Sequence, residues 1–352
     1  MKIVVVGAGI IGASIAWHLR REGAEVLVID SGRPAASTAS FGWINASFYV
    51  DTAHHRLRVA SMAAYGRLMT VLDLPILQSG ALCWEAQGAD LRNIKTDLQA
   101  LDYPLEYLKG QALHTAEPDL ANLPDEALLF PSEGAADPAG VAATLLAASG
   151  ARVLRGVAVH EVRGDDTVAG VRTDMGDIDA DRVVVAAGNG TAALLASTGV
   201  TLPMLERPGA LVTTKPFSAK IDHILVTPDG EARQLPDGRI LASAVASHQG
   251  DDAAYITDHP EQIAGRVLGW LQPLIPNEVL EWDNVSLAYR PMPADGLPVI
   301  GPVGPKGLHV AVMHSGVTLA AIAGEATAAE VLGHGHNRYA DLLAPYRPDR
   351  FP

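Results

Sequence analysis

Gly7, Gly9 and Gly12 stand in the order G-x-G-x-x-G directly after an apolar, β-branched run at residues 3–6. When such a run is a buried strand and the following residues open a helix, the three glycines do distinct work. The first permits a tight turn, the second lets backbone approach a pyrophosphate, and the third lets the helix lie close on the sheet. The helix start adds unpaired N–H groups and the positive end of the helix dipole. Asp30 follows 18 residues after Gly12, closing a second apolar run at 25–29. A carboxylate there can accept hydrogen bonds from a ribose diol. Residues 10–18 carry enough apolar side chains for the intervening helix. The combination predicts a bound dinucleotide, and it serves NAD and FAD alike.

Other chemically capable residues read more plainly. His54, His55, Arg56 and Arg58 fall on a helix predicted over 51–74. No carboxylate or cysteine is spaced to complete a metal site with the two histidines, so a solvated or capping face is expected and no metal. The Gly-His-Gly-His run at 333–336 lies in a polar, proline-containing tail and is expected to be solvated. Residues 31–47 form a loop of small side chains, compatible with a cofactor lying close to backbone and hydroxyls. Phe41, Trp43 and Ile44 argue that this loop is buried and functional, because three bulky apolar groups seldom decorate a mobile one.

The elements that must position these groups follow from periodicity and punctuation. Strands are predicted at 77–85 and 151–159, a hairpin at 168–173 with 176–180, and a buried strand at 181–188 ending in small residues and Gly188. That second glycine-ended strand means the nucleotide layer is not complete by mid-chain. Helices are predicted at 90–103, at 138–149 with Asp137 as N-cap and Pro138 at the first helical position, and at 261–274. The proline-rich passage 117–138 suits irregular crossing between domains. Residues 203–215, 221–246 and 278–290 alternate as antiparallel strands. A last buried strand at 308–312 leads into a small-residue helix from His314 to about 332.

The formal charge of −14 opposes a nucleic-acid or anionic-membrane partner. One cysteine, Cys83, precludes an internal disulfide and fits a reducing compartment. The first strand starts at once, which leaves no room for a signal peptide, and no apolar run is long enough for an integral membrane span. A soluble, cytoplasmic protein is expected.

Four separated blocks, GAGIIG with Asp30, VVVAAG at 183–188, RPMPADGLPVIG at 290–301 and HSGVTLA at 314–320, resemble the FAD-dependent D-amino acid oxidase, glycine oxidase and sarcosine oxidase family. The resemblance spans residues 2 to about 332 and implies α/β plus α+β architecture. A Rossmann-like FAD-binding domain would be assembled from 1–75, 137–202 and 289–340. An inserted, mostly antiparallel-sheet substrate domain would come from 76–136 and 203–288, with a tail at 341–352. Carried over residue by residue, Gly7, Gly9, Ile11 and Gly12 would line the pyrophosphate and Asp30 the ribose. Ser31 and the 38–43 loop, with Ser40, Gly42 and Trp43, would approach ribose, phosphates and flavin. Val159 would meet the adenine, and Ala187 and Gly188 would lie beneath the cofactor. Gly316, Val317 and Thr318 would present a helix N-terminus to the flavin.

The same resemblance gives Arg290 the substrate carboxylate, a task its planar fork suits. Asn45, Arg207, His248, Tyr255 and His314 are further candidates for the pocket wall. No cysteine lies near the C-terminal blocks and no histidine in the loop between Asp30 and Trp43, so FAD is expected to be non-covalent. The implied reaction is oxidation of a small amino acid or secondary amine by hydride transfer to flavin N5. The resulting imine then hydrolyses, and oxygen or another electron acceptor reoxidises the flavin. Alternatives on the same residues are a 2-hydroxy-acid oxidase, an NAD-dependent dehydrogenase, and a non-catalytic flavoprotein subunit of a heteromeric complex. Homo-oligomer and heteromeric partner are both compatible with the sequence.

Overall fold

A computed structural model describes residues 1–243, 255–334 and 338–351. Its first layer is a six-stranded sheet in the order Val299–Pro302, Leu308–Val312, Arg182–Val185, Lys2–Val6, Glu25–Asp30, Arg152–Arg155. All pairings are parallel except the edge pair Val299–Pro302 with Leu308–Val312. The central strands are continuous β-branched runs because both faces are covered. On one face Ile10–Arg21 packs between Pro138–Ser149 and Gly316–Val331. Helices Ile10–Arg21 and Gly316–Val331 approach so closely that a Cβ on Gly324 would meet Ser14 Oγ at 2.0 Å.

The second layer is an eight-stranded sheet in the order Trp282–Tyr289, Pro208–Thr214, Ile240–Ser243, Gly230–Gln234, Ile224–Thr227, Ala81–Cys83, Glu126–Phe130, Glu106–Lys109. It is antiparallel apart from the parallel join of Ile224–Thr227 with Ala81–Cys83. Its back face buries Val212, Ala232 and Ala242 against Ile263, Ala264 and Val267 of the helix Pro260–Leu271. Together the layers make the mixed α/β and α+β architecture the sequence implies.

Several local readings are corrected. The helix expected over 51–74 runs Thr52–Met69, and the Asp51 side chain caps it by accepting from the His54 amide at 2.7 Å. His54, His55 and Arg58 are buried rather than solvated, because they lie on the inward face of this helix, whose outward face carries Arg56 and Val59. The run 77–85 breaks at Gly80 (φ +74°) into Ile76–Leu77 and Ala81–Cys83. The run 151–159 breaks near Gly156 (φ +71°), with Arg152–Arg155 before it and Val159–Arg163 after. The tail is solvated only in part: Gly333 and His334 are exposed as expected, but Leu343 and Tyr346 are fully buried in the first layer's core, and Arg347 pairs with Glu330 at 2.5 Å. The second half of the Gly-His-Gly-His run, and the end of the strand expected to reach residue 246, lie outside the described residues.

Candidate active site

Between the layers lies a large cavity of about 1320 Å³. It exceeds the about 300–1,000 Å³ usual for a small-molecule pocket, and so has room for a dinucleotide with a second, smaller ligand.

One end is built on the glycine turn. Gly7 has φ +107°, and a Cβ there would lie 2.3 Å from the Ala186 carbonyl oxygen. A Cβ on Gly12 would lie 2.0 Å from the Gly7 carbonyl oxygen, so this glycine serves helix–strand contact and does not itself line the cavity. A Cβ on Gly9 would meet only Ser37 Oγ, at 3.2 Å, and its open side faces the cavity beside Ile11. Ser37 also accepts from the Ile10 amide at 3.1 Å, a contact hidden at the sequence level in an undistinguished small-residue loop. The Asp30 carboxylate is aimed by two backbone amides, Ala8 at 3.0 Å and Gly32 at 2.8 Å. A carboxylate offers about four lone-pair directions, so acceptor capacity remains toward the cavity. Ser31, Val159, Ala187 and Gly188 line the same space.

The loop carrying Ser40, Gly42 and Trp43, all three on the cavity wall, is pinned by buried charge. Glu133 is fully buried. Its Oε2 accepts from Trp43 Nε1 at 2.9 Å. Its Oε1 accepts from the Ala46 and Ser47 amides at 3.2 and 3.0 Å and from Tyr103 Oη at 2.7 Å. Burial pushes the Glu133 carboxyl up, while donors from Ser47 and Tyr103 oppose the shift. Arg58 donates through Nε to the Asn45 carbonyl at 3.0 Å and through Nη2 to Asn45 Oδ1. Burial pushes Arg58 down to about 10, opposed by the charge of Glu133. Arg233 donates to the Phe41 and Ala136 carbonyls at 2.6 and 3.2 Å, and burial likewise pushes it down to about 10. Asn45 is therefore both cavity wall and structural joint. Neither Glu133 nor Arg233 stands out in the sequence; a charged residue becomes a signal only once its burial is known.

The C-terminal block closes the opposite wall. Ser315 sits in left-handed backbone (φ +54°) ahead of the helix Gly316–Val331, and Gly316, Val317 and Thr318 line the cavity. Thr318 Oγ1 donates to the Trp43 carbonyl at 3.0 Å, and Tyr65 Oη to the Val317 carbonyl at 2.6 Å. The first of these bonds stitches the helix end to the 38–45 loop across 275 residues of sequence. His314 lies beside Ser315, Nδ1 to Oγ 3.1 Å, on the same wall.

Arg290 follows the strand Trp282–Tyr289, half-buried and on the cavity wall. Its backbone amide donates to the Arg207 carbonyl at 2.7 Å, which continues the strand pairing and so fixes where the guanidinium emerges. The guanidinium itself is steadied by backbone, with Nη2 donating to the Pro208 carbonyl at 3.2 Å and Nε to the Arg207 carbonyl at 3.4 Å. Arg207 lines the cavity as well, and Tyr255, 70% exposed, stands at its rim. His248 lies outside the described residues. Among the described residues no three His, Cys, Asp or Glu side chains gather as metal ligands, and no helix is long and apolar enough to cross a membrane. The fold thus brings Gly7, Gly9, Asp30, the 38–45 loop, residues 187–188, Arg290 and the 314–318 turn around one space.

The sequence model of the family described as FAD dependent oxidoreductase (DAO) matches residues 2–330. A 4-methylaminobutanoate oxidase (formaldehyde-forming) of Paenarthrobacter nicotinovorans is 30% identical over 333 residues, 86% of this chain; the chain spans 34% of that relative's length. A D-amino acid dehydrogenase of Rhizorhabdus wittichii is 27% identical, with 99% of this chain and 97% of the relative covered. A glycine oxidase of Geobacillus kaustophilus is 26% identical, with 92% and 90% covered. The crystal structure of glycine oxidase from that organism superposes with a TM-score of 0.87 at 23% identity, covering 100% of this chain and 99% of the other.

Proposed function

The chain belongs to the DAO family of FAD-dependent oxidoreductases, and we propose that it oxidises a small amino acid or secondary amine whose carboxylate is held by Arg290. The observation that carries this reading is a half-buried guanidinium on the wall of the same cavity that holds the glycine turn and the Gly316–Val331 helix start. Relatives named for oxidation of a methylamino acid, D-amino acids and glycine support the substrate class.

The cavity suits FAD on its own terms. Gly9 leaves room where a Cβ would intrude, the Ile10–Arg21 helix start faces that room, and Asp30 is pre-aimed by two amides. Gly7, Gly9 and Ile11 would hold the pyrophosphate, with Gly12 keeping the helix close. Asp30 and Ser31 would hold the ribose, with Val159, Ala187 and Gly188 alongside, and the Ser40–Trp43 loop and Gly316–Thr318 the flavin. We read the FAD as non-covalent: Cys83 is buried in the second sheet and does not line the cavity. Bound there, FAD would supply a two-electron acceptor for the hydride of a substrate C–H, and the amine so oxidised would leave as an imine that hydrolyses.

The chain's share is positioning and electrostatics. Arg290 pairs with the carboxylate and fixes which C–H faces the ring. The start of the Gly316–Val331 helix lines the cavity, and its unpaired N–H groups and positive dipole end would stabilise negative charge on a ring held there. The Thr318–Trp43 and Tyr65–Val317 bonds keep that helix end in place. No general base is required when the amine binds neutral.

The test is anaerobic bleaching of the purified yellow protein by D-amino acids, glycine, sarcosine, other secondary amino acids and 2-hydroxy acids, followed by turnover with oxygen and with a dye. Amines should bleach the flavin, and Arg290→Ala should raise KM for carboxylate substrates by about 10²-fold, the worth of a lost charged pair. Bleaching by 2-hydroxy acids alone would overturn the amine assignment, and an unchanged KM would overturn the role of Arg290.

A further inference from the structure

Glu231 is a carboxylate 3% exposed on the cavity wall, and no step proposed above uses it. We propose that it is the anionic end of the substrate pocket, selecting carboxylates that carry a second, cationic group about four to six bonds from the carboxyl carbon. Its other end is the substrate carboxylate at Arg290, so the proposal rests on the placement made above.

Strand register puts the two charges on one face of the eight-stranded sheet. Leu211 pairs with Ser243 across neighbouring strands. Ala232 pairs with Ala242, which sets Glu231 opposite Ser243, and the Glu231 amide donates to Ser243 Oγ at 3.1 Å. Residues directly opposite share a face, so Leu211, Ser243 and Glu231 form one row, and all three line the cavity. The neighbouring row, Val212, Ala242 and Ala232, packs into the apolar core on the other side.

Two residues from Glu231 along its strand, on the same face, Arg233 reaches the Phe41 carbonyl, so this face looks onto the flavin loop. Arg290 joins the face at its far corner. A Cβ on Gly209 would meet Arg290 Nε at 3.8 Å, and Gly209 shares the face of Leu211, two residues on.

Two strand spacings and two residues of strand separate the backbone of Gly209 from that of Glu231, about 12 Å. Arg290 lays its guanidinium along the sheet beside Gly209, and the Glu231 side chain stands roughly perpendicular to its own strand, so the two charges lie about that far apart. A contact of about 2.8 Å at each end leaves about 6 Å between ligand charges. The carboxyl carbon and nitrogen of an α-amino acid are only about 2.5 Å apart, too short to reach both. Two ligand types span the gap: an amino acid with a cationic side chain, and an acid whose amine is at the far end of the chain. Between the charges the floor is Gly209, Leu211 and Ser243, small or apolar, suited to a methylene chain.

The experiment titrates FAD-loaded protein with matched pairs, lysine against norleucine and 5-aminopentanoate against pentanoate, by calorimetry and by perturbation of the flavin absorption. Wild type should bind the cationic member of at least one pair more tightly by about tenfold to a hundredfold, as a desolvated charged hydrogen bond supplies. The pair that responds identifies the ligand type. Glu231→Gln should collapse that ratio to near one. A wild-type ratio near one for both pairs overturns the proposal without any variant, and so does a ratio that survives Glu231→Gln. Binding is read independently of turnover: a chain that keeps the ratio but whose flavin no amine bleaches counts against the oxidation proposed above and for the Glu231 site.

Discussion

Glu133→Gln isolates what the buried carboxylate does for the 38–45 loop on the cavity wall. Glu133 Oε1 accepts three donors and Oε2 one. Glutamine preserves the shape and can keep its oxygen toward Ala46, Ser47 and Tyr103, but its NH2 then faces Trp43 Nε1, donor against donor. Three charge-assisted bonds become neutral ones, each weaker by about 1 kcal/mol, and one bond is lost with its donor left buried, about 1–3 kcal/mol. Arg58, also buried, loses the opposing charge that supports its ionised form. Relief of the carboxylate's own desolvation works in the other direction. The balance is a loss of about 2–4 kcal/mol. Urea unfolding of the apo and FAD-loaded forms measures it, and FAD titration should show weakened binding because Trp43 loses its anchor. Trp43→Phe, which removes one donor and no charge, should lose markedly less. Stability within about 0.5 kcal/mol of wild type, the ordinary scatter of a surface substitution, with FAD held as tightly, would refute the claim that this carboxylate organises the loop.

Burial depresses His54, His309 and His18 to about 4, loss of solvation being the leading cause for each. A base whose folded value is below its unfolded value near 6.5 contributes stability that is full above that value and is lost as pH falls toward about 4. Stability should therefore be flat above about pH 7 and fall through that window with a slope approaching about 4 kcal/mol per pH unit for the three together. Urea midpoints from about pH 7.5 to 4.5 check this, and a flat profile would count against it. Gly12→Ala drives a Cβ to 2.0 Å from a backbone carbonyl that cannot swing away, so FAD affinity and thermal midpoint should both drop sharply; wild-type absorption and melting would be the contrary result.

Legibility follows the range of the physics. The glycine turn, the 308–312 strand and the Asp137-capped helix are readable because adjacent residues set them: a turn needs a residue without a Cβ, and a cap needs an oxygen within a few residues. The misreadings at 51–74, 77–85 and 151–159 share a cause, since in each an apolar run continues past a break that the backbone makes locally. His54 and His55 read as solvated because their covering elements come from elsewhere in the chain, and the tail because Leu343 and Tyr346 are few among polar neighbours.

A nucleotide turn, its acid and the small-residue helix start are legible in residue types adjacent in the chain, although Ala186 backs the turn and the Trp43 carbonyl holds the helix end from far away in sequence. Which charges stand in the cavity depends instead on pairing between distant strands. Glu231 and Arg290 share a sheet face through strand register and the contact of Arg290 beside Gly209, and Glu133, behind the cavity wall, gathers donors from residues 43 to 47 and from Tyr103. Burial turns such residues from ordinary surface charges into determinants of the site, because desolvation makes a charge costly unless something of opposite sign or a set of donors meets it.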